Sequence, residues 1–222
     1  DIDGLMERTM HRPLVQGVMS PQAALTFAVG IEVVAFAWLF TTVNLLSALL
    51  AVSATFFYVF VYTLWLKRTT TQNIVIGGAA GAVPVLVGWS AVTNSLGWAP
   101  VVLFLVIFFW TPPHFWALAI RYREDYSAAS VPMLPAVATL AATARKITLY
   151  TVMLVGTTLV FAPVADMGAV YVAAALILGA LFGVLALAVQ RDPTERAAMR
   201  LFSYSITYVT LLFAAMIVDV LV

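Results

Sequence analysis

Long apolar stretches alternate along this chain with short polar ones. Seven apolar runs approach the roughly 20 residues that a helix needs to cross a bilayer, at about 22–41, 45–66, 74–93, 99–121, 145–163, 168–190 and 200–222. Lipid offers the backbone no hydrogen-bond partners, so each run is predicted to be a helix that satisfies itself internally. The breaks carry turn residues, as in Thr93-Asn94-Ser95-Leu96-Gly97 and Asp192-Pro193-Thr194. The pattern predicts an all-α, multi-spanning transmembrane bundle that forms a single domain over 1–222, with no linker and no low-complexity tract.

Composition agrees. Hydrophobic residues make up 64% and charged residues 9%, against about 25% charged in a soluble domain. Cysteine is absent, which excludes disulfides and thiolate metal sites. A net charge of +1 gives no basis for binding nucleic acid, so the lipid bilayer is the expected environment. A charged opening segment argues against a cleavable secretory signal. The chain also opens inside what reads as a motif, so further residues are expected upstream.

Charge placement orients the spans. Arg8 and Arg12 precede the first, and Lys67 and Arg68 follow the second. Arg121, Arg123, Arg145 and Lys146 border the loop after the fourth, and Arg191, Arg196 and Arg200 lie between the sixth and seventh. All 11 basic residues therefore fall on one side, which the positive-inside rule makes cytoplasmic. The opposite loops, near Thr41–Asn44, Thr93–Trp98 and Pro163–Gly168, have none. Tyr62, Trp65 and Trp98 suit interfacial anchors.

Two acidic segments share the basic side, 1–13 and 121–135. Asp1, Asp3, Glu7, Glu124 and Asp125 are candidate ligands for Mg2+, which typically binds one or two carboxylates plus substrate oxygens. Arg8, Arg12, Lys67 and Arg68 are candidate phosphate donors. Arg8 and Arg12, four apart, share a face if a helix continues through them. Anionic ends beside greasy helices suit a polyprenyl diphosphate; an ordinary solvated juxtamembrane loop explains the same residues. The inner loop at about 122–144 is longer than most helix–helix connections.

Within the spans, Trp110-Thr111-Pro112-Pro113-His114 places paired prolines and an ionisable group about 10 Å below the inner edge. Such a histidine binds a polar substrate, ligates a haem iron, moves a proton, or simply donates to a neighbouring carbonyl. Gly77 and Gly81 form a small-xxx-small pair suited to close helix approach. Glu32, mid-span, faces a cavity or accepts an interhelical hydrogen bond. Phe56, Phe57, Tyr58, Tyr62, Phe108, Phe109, Trp110 and Trp116 are core or lipid-facing positions whose rings also suit an allylic cation. Asp166 and Asp219 read as solvated groups on the outer side.

Four segments in order, 1–14 (DIDGLMERTMHRPL), Tyr62–Pro84, Thr111–Ile120 (TPPHFWALAI) and Glu124–Pro135, resemble the UbiA-type intramembrane prenyltransferases and, among them, the members that farnesylate haem. The resemblance covers 1–146 by motif; the later helices match in hydropathy alone. It implies nine spans around a cavity, two of them upstream of the seven seen here. It implies Mg2+-dependent transfer of farnesyl from farnesyl diphosphate to a vinyl group of haem B, with water addition giving haem O for terminal oxidases. Haem A synthase or oxidase assembly factors are the implied downstream partners. The expected location is a bacterial cell membrane, or the mitochondrial inner membrane in a eukaryote, with the site on the cytoplasmic side.

By position, the resemblance makes Asp3 the last acid of the first aspartate motif and Asp1 an additional acid within it. The metal ligands are then Asp1, Asp3 and Asp125, and the catalytic residues Asp3, Asp125 and His114. Arg8, Arg12, Tyr62, Lys67, Arg68, Asn73 and Tyr122 are substrate contacts. Ser130 departs from the glycine expected before PMLP, at a place where glycine often supplies an unusual backbone angle. A prenyltransferase acting on a quinone precursor is the alternative enzyme. A transporter or seven-helix receptor is the remaining class, disfavoured because the acids gather at one interface without an internal repeat.

Overall fold

Four spanning helices start on a side chain that accepts a hydrogen bond from the first turn. Ser20 takes the N–H of Ala23, Asn44 that of Ser47, Thr139 that of Ala142 and Thr194 that of Ala197. Such caps satisfy backbone donors that the helix itself leaves open. The protein, described by a computed structural model over residues 2–7 and 9–222, has helices as its regular elements, with no strand among the described residues. Asp1 and Arg8 lie outside the described residues.

A 3-10 turn, Ile2–Leu5, opens the chain. There follow α1 (Pro21–Thr42), α2 (Leu45–Phe56), a π-helix (Phe57–Leu66), α3 (Lys67–Thr69), α4 (Asn73–Thr93) and α5 (Trp98–Arg121). Then come the short α6 (Arg123–Ala128) and α7 (Leu134–Val137), and the long α8 (Leu140–Val164), α9 (Ala169–Arg191) and α10 (Glu195–Leu221). The α2, π and α3 segments run on as one span, Leu45–Thr69, so seven helices have the length and composition to cross a membrane.

Seven spans match the prediction, but two boundaries move. The eighth helix begins at Leu140 and the tenth at Glu195, each about five residues before the apolar run starts. Their caps, Thr139 and Thr194, sit ahead of the apolar residues, and a helix tolerates Arg145, Lys146 and Arg196 in its first turns at an interface. The loop expected at 122–144 is shorter and is itself built from α6 and α7. Residues 9–19 are a series of hydrogen-bonded turns rather than a continuing helix, and the pairing of Arg8 with Arg12 lies outside the described residues. Pro13 biases Arg12 away from the helical region, consistent with that outcome.

Helices α5, α8, α9 and α10 pack as a closed ring, each touching the next and α10 returning to α5. A row, α1–α2–α4, extends from α5, with α1 touching α2 at its far end. Lipid tails are as apolar as leucine, so close fit and hydrogen bonds hold such helices together. Ala48, Ala82, Ala117, Ala144, Ala175, Ala186 and Ala198 are 0% exposed, which places small residues where the helices meet. Ser47 and Ser90 share a hydrogen bond of 2.7 Å between α2 and α4. Thr158, Tyr171 and Tyr208 are linked across α8, α9 and α10 at 2.8–2.9 Å.

Glu32 accepts a hydrogen bond from Thr55 at 3.1 Å, the interhelical alternative of the two expected. Asp219 is a correction. Rather than being simply solvated, its carboxylate accepts from the backbone N–H of Gly168 and of Tyr171, capping α9 from the neighbouring helix. Gly168 has no side chain with which to cap its own helix. Asp219→Ala is expected to remove this cap, read as a lowered midpoint of thermal unfolding in detergent.

The glycine pair also differs. A Cβ on Gly81 would meet nothing within 4 Å, whereas one on Gly78 would lie 2.9 Å from Thr111 and one on Gly77 would collide with the ring of Tyr62. Close approach therefore uses adjacent residues facing two neighbours, α5 and the π-helix.

Candidate active site

The inner ends of α3, α4 and α5, with α6 and α7, carry most of the predicted polar residues. Tyr62 lies on the π-helix, where the Thr63 hydroxyl donates to the Tyr58 carbonyl at 2.8 Å. This ten-residue segment packs the Tyr62 ring against Gly77 of α4. Lys67 and Arg68 follow in α3, half-buried and exposed respectively.

Asn73 starts α4 and is fully buried. Its Nδ2 donates to the Pro132 carbonyl at 3.4 Å, tying the loop after α3 to the loop between α6 and α7. Its Oδ1 has no partner, which leaves a buried acceptor at that junction. Asp125 is half-buried on α6 next to exposed Glu124, with Tyr122 at the helix N-cap. Asp3 forms an ion pair of 2.7 Å with Arg12 across its own turn, and Thr9 donates to the Asp3 carbonyl at 2.9 Å. Met6, buried between them in sequence, joins the same apolar cluster as Tyr126, Val131 and Met133 of the second acidic segment.

No group of three His, Asp or Glu side chains is placed to hold a metal among the described residues. Mg2+ needs no such cage when substrate oxygens and water complete its shell. The donors present, carboxylates and the orphaned amide oxygen of Asn73, are hard oxygen ligands of the type that ion takes.

The segment joining α6 to α7 shows why glycine is expected at 130. Val131 N–H bonds to the Tyr126 carbonyl at 2.9 Å and Ser130 N–H to Ser127 at 3.0 Å. This paired closure ends a helix with its middle residue left-handed, and Ser130 has φ +53°. Tyr126 and Val131 are both buried, the hydrophobic contact that accompanies the motif. Ser130→Gly is expected to raise stability by about 1 kcal/mol, seen as a higher unfolding midpoint.

Deeper in α5, Pro112 and Pro113 lack the N–H groups that would reach the Phe108 and Phe109 carbonyls. His114 lies one residue on, 9% exposed. Its ring is sandwiched between Trp110 at 4.2 Å and Phe202 at 4.6 Å. Nδ1 lies 2.6 Å from the Ser205 hydroxyl, which also lies 2.6 Å from the Phe202 carbonyl. A hydroxyl has one proton, and two oxygens at that separation need it between them. Nδ1–H therefore donates to Ser205, and this bond leaves Nε2 uncommitted. The partner is thus a serine hydroxyl from α10, not a neighbouring carbonyl.

Ser205 also accepts from Trp110 Nε1, through its carbonyl, at 2.8 Å. Ser205 and Phe202 were not foreseen. Their only trace in the sequence is a polar repeat, Ser203, Ser205 and Tyr208, inside an otherwise apolar span.

Comparison with known proteins follows the same lines. The family model described as the UbiA prenyltransferase family matches residues 1–216. A protoheme IX farnesyltransferase of Parafrankia sp. (strain EAN1pec) is 55% identical over 97% of this chain and 70% of its own length. Another of that name, from Gloeobacter violaceus, is 56% identical over 99% of this chain and 72% of its own. A solved structure of digeranylgeranylglyceryl phosphate synthase superposes with TM-score 0.78 at 17% identity, covering 98% of this chain and 78% of that one. An apo UbiA homolog from Aeropyrum pernix K1 gives 0.72 at 20%, covering 99% and 80%. These two structures establish the fold.

Proposed function

Because the chain belongs to the UbiA prenyltransferase family, we propose that it transfers a farnesyl group from farnesyl diphosphate to a vinyl group of haem B, giving haem O. The observation that carries the reading is identity above 50% to relatives named protoheme IX farnesyltransferase across nearly the whole chain. The all-helical bundle and the polar inner ends of α3 to α7 support it.

The bond between C1 of the farnesyl group and the diphosphate oxygen breaks, and the electron pair leaves with the oxygen. The vinyl carbon attacks C1. Water adds to the cation left beside the macrocycle, and one proton is released. Bound Mg2+ supplies charge neutralisation for the departing diphosphate. Asp125 and Asp3 are the residues that would hold it. Arg12 exchanges Asp3 for phosphate when substrate enters, and Lys67 and Arg68 add positive charge at the same end. Tyr62 closes the site on the π-helix side, and Tyr122 does so beside α6. Asp1 and Arg8 take the motif roles of acid and phosphate donor.

His114 orients the tetrapyrrole in this reading. Its Nδ1 is committed to Ser205 and its Nε2 remains an acceptor or ligand. The inner ends face the cytoplasm by the positive-inside rule.

The test supplies the purified protein in lipid with farnesyl diphosphate, Mg2+ and either haem B or an aromatic quinone precursor. Haem O and diphosphate, dependent on Mg2+ and identified by mass spectrometry, are the expected products. Prenylation of the aromatic acceptor with haem B left unchanged overturns the reading.

A further inference from the structure

A basic hollow lies at the inner end of the seam between α5 and α10. It has a volume of about 680 Å³ and is lined by Arg121, Glu195, Arg196, Met199, Arg200 and Ser203. Arg121 pairs with Glu195 at 3.4 Å. Among the described residues Arg196 and Arg200 have no ion-pair partner. One carboxylate against three guanidinium groups leaves the exposed Arg196 and Arg200 without a protein counter-charge.

The hollow lies on the same two helices as His114, about two turns nearer their ends. On α5, Arg121 lies seven residues after His114, two turns or about 10 Å along the same face. On α10, Glu195, Met199 and Phe202 follow one stripe at i, i+4 and i+7, and Phe202 is the ring stacked on His114. The seam thus runs from a stacked aromatic and imidazole wall to a pair of uncompensated guanidinium groups. A flat apolar macrocycle with two carboxylates on one edge has the matching distribution. Arginine's planar fork suits carboxylates bidentately.

We infer that Arg196 and Arg200, at the α5–α10 hollow, bind the two propionates of the tetrapyrrole acceptor. This rests on the proposed function, since it assigns the seat of that reaction's acceptor. Anchoring the carboxylate edge there leaves the vinyl-bearing edge directed away from the arginines. The two residues are positioning groups and touch no reacting atom.

The test titrates haem B and its dimethyl ester, whose propionates are uncharged, into the intact protein in neutral phosphatidylcholine nanodiscs, followed by the haem absorption band. Wild type and Arg196→Gln/Arg200→Gln are compared. Esterification is expected to weaken wild-type binding about tenfold or more, and the double substitution to weaken haem B binding by a similar factor. In the variant the ester and haem B then bind alike, while KM for farnesyl diphosphate stays at the wild-type value, which shows that the variant is folded. Arg196→Lys/Arg200→Lys recovers part of the affinity.

Unchanged haem B binding in the variant overturns the inference, as does a full ester penalty persisting there. A loss seen only in bilayers with anionic phosphatidylglycerol also overturns it, and assigns the hollow to a lipid headgroup. Failure of the proposed reaction reads separately: wild type then forms no haem O, whatever the titration gives.

Discussion

Asp125→Asn in the intact enzyme is expected to reduce haem O formation by at least about a hundredfold, the effect of losing several kcal/mol of charge stabilisation at the departing diphosphate. Expression and membrane insertion are expected to be normal. The reason for that separation is local. Asp125 is half-buried on a helix of six residues. Among the described residues its carboxylate has no hydrogen bond or ion pair to lose. An isosteric amide therefore leaves α6, its paired closure at Ser130 and the Asn73–Pro132 tie intact. Product analysis alongside a membrane-fraction immunoblot reads both quantities. Haem O output at the wild-type level would remove Asp125 from the chemistry.

The second large effect is expected at Gly77. A methyl group there would occupy the space of the Tyr62 ring. The ring must swing away or α4 and the π-helix must separate, an overpacking cost of about 1–3 kcal/mol. Gly77→Ala is expected to lower the unfolding midpoint and to raise KM for farnesyl diphosphate, because Tyr62 is displaced from the inner end. Gly81→Ala is the control within the same helix, since its new methyl group would meet open space. Equal effects at the two positions would show that α4 responds to lost glycine and not to the contact with Tyr62.

The seven spans were legible because the bilayer imposes a length and an apolar composition on every one of them. Helix starts were less so. A hydropathy run registers the first apolar residue, whereas the backbone responds to the cap, and Thr139 and Thr194 precede their apolar runs by several residues. The departure at Ser130 was legible as a missing glycine, and its positive φ is the physical counterpart.

Contacts between distant helices were not legible. A spacing of four marked Gly77 with Gly81, yet the partner side chains, Tyr62 and Thr111, select Gly77 and Gly78. Asp219 looked solvated because nothing local reveals that α9 begins on a glycine within its reach. His114 stood out as an ionisable group in an apolar run, but its partner Ser205 lies 91 residues away. The inner polar residues were found as chemistry types in order. Their mutual placement rests on a few long-range ties such as Asn73 to Pro132, 59 residues apart.

The double use of Ser205 bears on biogenesis. The indole N–H of Trp110 and the imidazole of His114 both find their partner on α10, which leaves the ribosome about ninety residues after α5. Through that interval α5 holds two polar groups and a proline pair without their final neighbours, in a medium that supplies none. The helix thus favours staying beside the translocon or an insertase until α10 arrives. A nascent chain arrested before Ser205 would carry a recognisable lesion for membrane proteases.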